Sequence, residues 1–321
     1  MRTGILFPGY GGQLIGMAKA LYDESRIVQE YFEEASNCLN VNFVKLCFAS
    51  SDTDIAQMSA AYPSIFLVSC ALYAVIRDKG ITPDMVVGCN TGDYGALYAA
   101  KSITFPDGLY LLHKYAHYYQ TFLDEQPMHM CAVNGIAYDA LMAICKKAST
   151  KQELVNIGIS YNDHEHMIGG HPEAVNRAQE ALDQHDEGVT YKKQSVAYGL
   201  HSALMDPVAE PFKISLEKVD FKDPVITCIS SQAQILVTSD QIKTNVTESI
   251  REPVLFNKVL DSLAAYELII QVGPGDELSK LVKEKYPDTI IITVQDKEDF
   301  EQLAPYIPEK TTNTETTEHD N

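Results

Sequence analysis

Gly88-Cys89-Asn90-Thr91-Gly92-Asp93-Tyr94 follows the compact apolar run Met85-Val86-Val87 and precedes a helical stretch rich in small residues. Glycines two positions either side of a central residue are the signature of a sharp strand-to-helix turn, G-x-S-x-G, whose serine is presented for attack on a carbonyl carbon. The central residue here is Asn90. An amide nitrogen is too weakly basic for that attack, so the turn keeps its outline and lacks its nucleophile. Asparagine does suit the backbone. The central residue of such a turn is driven to positive φ, which costs most residues about 1 kcal/mol and asparagine less. Cys89 is the nearest substitute nucleophile. One residue along a strand turns a side chain to the opposite face, so Cys89 is read as a buried thiol.

Other clusters carry weaker chemistry. His113 and His117 stand four apart on a helical stretch, as in zinc sites, but no third ligand lies nearby in sequence. Asp163-His164-Glu165-His166 places two histidines on one side of an extended segment and reads as a solvated loop. Gly9-Tyr10-Gly11-Gly12 lacks the Lys-Ser/Thr of a phosphate-binding loop. No metal and no nucleotide is expected.

The elements that must hold these residues alternate between strand and helix. Ile5-Leu6-Phe7 is a short buried strand running into the glycine-rich loop, and Met17 to Tyr22 begins a helical pattern. Helical spacing recurs over 26–48 and 62–79, and the helix after the turn carries Gly95, Ala96, Ala99 and Ala100, which allow close packing on a sheet. From Met128 to Val196 the texture becomes strand, helix, strand, strand, helix, strand, the order of a ferredoxin-like unit. Pro224 to Ile229 and Leu268 to Val272 read as strands returning to the main sheet, with Gly273-Pro274-Gly275 as a tight turn. This gives an α/β core over 1–127 and 197–308, a ferredoxin-like subdomain over 128–196, and a polar, Thr-rich tail over 309–321 expected to be disordered.

Bulk composition narrows the partners. With 321 residues, 45% of them hydrophobic, the chain buries a large core. A net charge of −19 and only five arginines (2, 26, 77, 177, 251) exclude nucleic acid and anionic membrane, which need clustered cations. Seven cysteines, odd in number and without C-x-x-C spacing, read as reduced thiols, and no leader pattern opens the chain. A cytoplasmic protein is expected.

Four segments taken in order resemble the malonyl-CoA:acyl-carrier-protein transacylase family, including the stand-alone acyltransferases of bacterial polyketide clusters. They are Phe7-Pro8-Gly9-Tyr10-Gly11-Gly12-Gln13, Gly88 to Tyr94, His201-Ser202-Ala203-Leu204-Met205 and Val272-Gly273-Pro274-Gly275. The resemblance implies an α/β-hydrolase-like core with an inserted ferredoxin-like subdomain, the malonyltransferase fold, and a site in the cleft between them. It implies ping-pong transfer, in which a serine takes the acyl group from CoA and a carrier protein's phosphopantetheine thiol removes it.

Carried over residue by residue, the resemblance puts Asn90 in the nucleophile's place and His201 in the base's place. The main-chain N–H groups of Tyr10 and Thr91 would form the oxyanion hole. The carbonyl of Glu252 would orient His201. Tyr115 stands where an arginine grips the malonyl carboxylate, and Tyr62 falls near the cleft. If Tyr10, Tyr62 and Tyr115 all line the pocket, it suits a bulkier uncharged acyl group. With nucleophile and arginine both missing, the expectation is a pseudoenzyme that binds an acyl carrier protein or another polyketide-pathway protein. It would hold no cofactor, with acyl-CoA or phosphopantetheine as ligand. The alternative is an active acyl-CoA:acyl-carrier-protein acyltransferase or acyl hydrolase of atypical mechanism and non-malonyl specificity.

Overall fold

The computed structural model describes residues 1–185 and 188–308; the tail expected to be disordered, 309–321, lies outside the described residues. The strands in chain order are β1 (Thr3–Phe7), β2 (Met85–Gly88), β3 (His129–Asn134), β4 (Val155–Ser160), β5 (Glu165–Gly170), β6 (Thr190–Lys193), β7 (Thr227–Ile229), β8 (Ile235–Leu236), β9 (Val254–Leu255), β10 (Leu268–Val272) and β11 (Ile290–Val294). They form two sheets, ordered β11-β10-β1-β2-β7-β8 and β6-β3-β5-β4-β9.

The first sheet is parallel except for its edge strand β8. Its central strands β1, β2 and β10 are buried along their whole length, which is why they read as unbroken apolar runs rather than alternating ones. The helix Met58–Asp78 has the length and apolarity of a membrane span, yet 83% of its most apolar window is buried inside the protein. Its hydropathy belongs to the core, where it packs with the helix Phe105–Glu125.

The second sheet contains the ferredoxin-like order in its first four strands, β6-β3-β5-β4, all antiparallel, backed by the helices Tyr138–Ala148 and Pro172–Leu182. Leu141, Cys145, Val155, Ile168, Val175 and Leu182 give this layer a core of its own. A fifth strand, β9, comes from outside 128–196 and pairs parallel to β4. The two sheets are therefore tied together by a segment of the larger unit.

Register places the site. Phe7 pairs with Gly88 across β1 and β2, so the glycine-rich loop and the turn at Asn90 leave the sheet side by side at its carboxyl end. Ligand crevices of parallel sheets form at that end. β10 flanks β1 on the other side and delivers Gly273-Pro274-Gly275 to the same edge. A Cβ on Gly12 would lie 2.3 Å from the carbonyl oxygen of Pro274, so the two loops touch backbone to backbone.

Candidate functional site

β2 ends at Gly88, the chain turns through Asn90–Gly92, and the helix Asp93–Ala99 begins at once. Only glycine fits at either end of the turn. A Cβ on Gly88 would sit 2.1 Å from the Asp93 nitrogen, and one on Gly92 2.0 Å from the Phe7 carbonyl oxygen. Asn90 takes a φ of 56°, the left-handed conformation that asparagine tolerates best among residues with a side chain. The elbow is thus complete in its backbone. Cys89 is buried, and burial pushes its thiol far above the usual range, with Asp93 adding to the shift. It is the structural thiol its position on the strand predicts.

His201 is 4% exposed. Its Nδ1 lies 2.8 Å from the carbonyl oxygen of Ser249, which can only accept, so Nδ1–H donates and Nε2 carries the lone pair. Nε2 is buried with no hydrogen-bond partner among the described residues. Burial lowers the pKa to about 4, against a smaller opposing effect of the Ser249 bond. The imidazole is therefore neutral at pH 7, in the tautomer a general base uses.

The orienting carbonyl is that of Ser249, not of Glu252. Ser249 closes the helix Ser239–Glu248, its N–H bonding the Asn245 oxygen. The last carbonyls of a helix have no partner within it, so one is free for His201. Glu252 is exposed, and its N–H bonds Glu248 one turn further on.

Tyr119 holds the His201 segment from the other side. Its hydroxyl donates to the Ala197 carbonyl at 2.7 Å and accepts the Leu200 N–H at 3.2 Å. Asp93 sits beneath the elbow, bonded by the Ser231 hydroxyl at 2.5 Å and the Ser231 N–H at 3.1 Å. Burial raises its pKa to about 7. Neither residue stood out as a site residue in the sequence, because each acts on the backbone rather than on a ligand.

Two spaces meet at Asn90. A cleft of about 720 Å3 opens between the two sheets, lined by Gly9 to Gln13, Cys89, Asn90, Tyr161, Met167, Gln194 and Tyr198 among others. Behind the elbow lies a void of only about 20 Å3, walled by Asn90, Thr91, Asp93, Tyr94, Tyr115, His201, Ser231, Val246, Ser249 and Ile250. The N–H groups of Tyr10 and Thr91 make no main-chain hydrogen bond outside regular elements among the described residues. Thr91 is the second residue of the turn Asn90–Gly92, a position where helical turns leave their first N–H groups free.

The three tyrosines pack in a row, Tyr10 6.0 Å from Tyr62 and Tyr62 next to Tyr115, but they meet different spaces. Tyr10 lines the cleft, its hydroxyl donating to the Ala56 carbonyl and its ring 4.7 Å from that of Tyr198. Tyr115 lines only the small void, packed 5.7 Å from Tyr62, 5.8 Å from Tyr119 and 5.6 Å from Phe212. Tyr62 is 1% exposed and lines neither space. The three do not line one pocket, so the condition for a bulkier apolar acyl site is not met. Aromatic rings fill the volume instead, and the physical reason is packing: Tyr62 lies on a helix buried on every side. His166, from the Asp163–His166 segment, is buried and bonded to Ser160 and Ile136, and no group of metal-ligating side chains occurs among the described residues.

The model of the acyl transferase domain family matches residues 5–320. The chain belongs to the acyl transferase family. It is 29% identical to the malonyl CoA-acyl carrier protein transacylase of Bacillus subtilis (strain 168) over 315 residues, covering 97% of this chain and 99% of that protein. The corresponding protein of Staphylococcus aureus (strain MRSA252) is 25% identical, with 93% and 97% covered. Among solved structures, the malonyl CoA-acyl carrier protein transacylase of Coxiella burnetii superposes with a TM-score of 0.91 at 22% identity, covering 96% and 98%. The acyl carrier protein S-malonyltransferase of Vibrio cholerae gives 0.89 at 25%, covering 94% and 100%. A malonyl-transacylase solved with its type II polyketide acyl-carrier protein gives 0.90 at 22%, covering 95% and 100%. The acyl transferase fold is therefore kept over the described residues.

Proposed function

We propose that this acyl transferase family member does not transfer acyl groups and acts by binding in the cleft at Asn90. One observation carries the reading. At the centre of the elbow stands an amide, not a hydroxyl or thiol: Asn90 walls the void that His201 also walls and lines the cleft that Tyr10 also lines. A neutral imidazole with nothing to deprotonate cannot generate a nucleophile from the protein. The ligand is the phosphopantetheine arm of an acyl carrier protein of fatty-acid or polyketide synthesis, the class named for a structural relative's complex.

Incubation of the protein with malonyl-CoA or acetyl-CoA and a holo carrier protein tests this reading. No acyl group is expected on the carrier above the level without protein. Transfer at enzymatic rates overturns the reading.

A second reading, slow thioester hydrolysis through water, is favoured by the free Nε2 of His201. It requires that His201→Ala abolish thiol release; equal release by both forms ends it. The residual acceleration available without a nucleophile is about 10³-fold.

A further inference from the structure

We infer that the cleft accepts a pantetheine arm ending in a free thiol and excludes the acylated arm. This deepens the binding reading above and rests on it. The argument starts from the two volumes on either side of Asn90. The outer cleft, about 720 Å3, reaches the elbow and can hold a ligand of the arm's size. Beyond the elbow, the space enclosed by Asn90, His201 and Tyr115 is about 20 Å3. That is under a thirtieth of the outer cleft, so an acyl group entering it has to displace the side chains that wall it.

The closure is built from rigid parts. Tyr115 is locked between the rings of Tyr62, Tyr119 and Phe212, and Tyr119 is itself fixed by two hydrogen bonds. Val246 and Ile250 close the opposite wall, both buried. A thioester carbonyl brought to the Thr91 N–H, on the wall of this void, sets its acyl substituent against this packing. A thiol ends at the elbow and does not.

The charge of the cleft says which part of the ligand is recognised. Its acidic side chains are Glu165, Glu277 and Glu284, against Lys280 alone, and Lys280 is paired to Asp276 at 2.7 Å. Among the described residues that line the cleft, no unpaired cation is left to gather the nucleotide phosphates of coenzyme A. Asn134, Gln194 and Gln13 offer amide and carbonyl groups that match the uncharged amides of the arm.

Calorimetric titration of the full chain with pantetheine, S-acetylpantetheine, coenzyme A and acetyl-CoA tests the inference. Pantetheine is expected to bind, its S-acetyl form to bind about tenfold or more weakly, the cost of overpacking a closed site. Coenzyme A is expected to bind no more tightly than pantetheine. Tyr115→Ala should bring the two pantetheine forms to similar affinity, and Ile250→Ala, on the opposite wall, should narrow the gap as well if Tyr115→Ala does not fold.

Equal affinity of free and acetylated arms for the wild-type protein overturns the inference while leaving the binding reading in place. A gap that neither substitution narrows overturns it too. Binding of coenzyme A without binding of pantetheine overturns recognition through the arm. Failure of all four ligands to bind overturns the binding reading itself.

Discussion

Lowering the pH from 7 to 4 should cost stability through the buried His201, a cost that a second buried group, Asp93, offsets almost fully. In the unfolded chain a histidine takes up its proton near pH 6.5, whereas burial holds folded His201 neutral down to about pH 4. A folded pKa below the unfolded one means that stability is fully present above pH 6.5 and is lost as the pH falls towards 4. At 1.36 kcal/mol per pH unit the loss is about 3 kcal/mol. Asp93, the other titrating wall of the void, has the opposite sign. Its pKa rises from 3.8 to about 7, so its contribution is largest at low pH and is lost as the pH climbs from about 4 to 7. The remaining titrating groups on the void, Tyr94 and Tyr115, are pushed further above their ordinary value and stay neutral throughout.

The two effects nearly cancel in the wild type, and substitution separates them. Urea unfolding between pH 4 and 7 should show His201→Gln gaining stability steadily as the pH falls, by about 3 to 4 kcal/mol relative to its value at pH 7. Asp93→Asn should instead lose about 3 kcal/mol over the same range. A His201→Gln profile that parallels the wild type refutes the burial argument. So does an imidazole nitrogen resonance showing His201 protonated at pH 6.

Other outcomes follow from the same contacts. Asn90→Ser alone should remain unacylated by acetyl-CoA, because the void behind it is closed, while Asn90→Ser combined with Tyr115→Ala should form an acyl-protein detectable by intact mass. Tyr119→Phe leaves the buried Ala197 carbonyl and Leu200 N–H unpaired and should cost about 1–3 kcal/mol in chemical denaturation. Asn90→Val forces a β-branched residue to positive φ and should lower stability by about 1–2 kcal/mol, where Asn90→Gly is close to neutral. Iodoacetamide should alkylate Cys38, which is exposed, and leave Cys89 untouched in the native protein.

The turn at Asn90 was legible in the sequence because its constraint is local: two glycines at fixed spacing admit one backbone path. The same holds for β1, β2 and β10, whose apolar runs need no partner to be read. β11 went unread, and β8 and β9, of two residues each, are defined only by the neighbours they pair with. The carbonyl facing His201 was placed three residues too late, since the end of a helix is set by cap geometry rather than by composition. Tyr62 does lie near the cleft, its ring 6.0 Å from that of Tyr10, but that it lines neither space is a detail the sequence does not carry. On a helix buried around its whole circumference, periodicity carries no information about which face meets the site.

The central claim is that this acyl transferase relative forms no covalent acyl intermediate. Incubating wild-type protein with radiolabelled malonyl-CoA and acetyl-CoA, then counting protein-bound label after denaturation, measures that directly. The account predicts no label above the protein-free background, and a stoichiometric acyl adduct on any residue contradicts it.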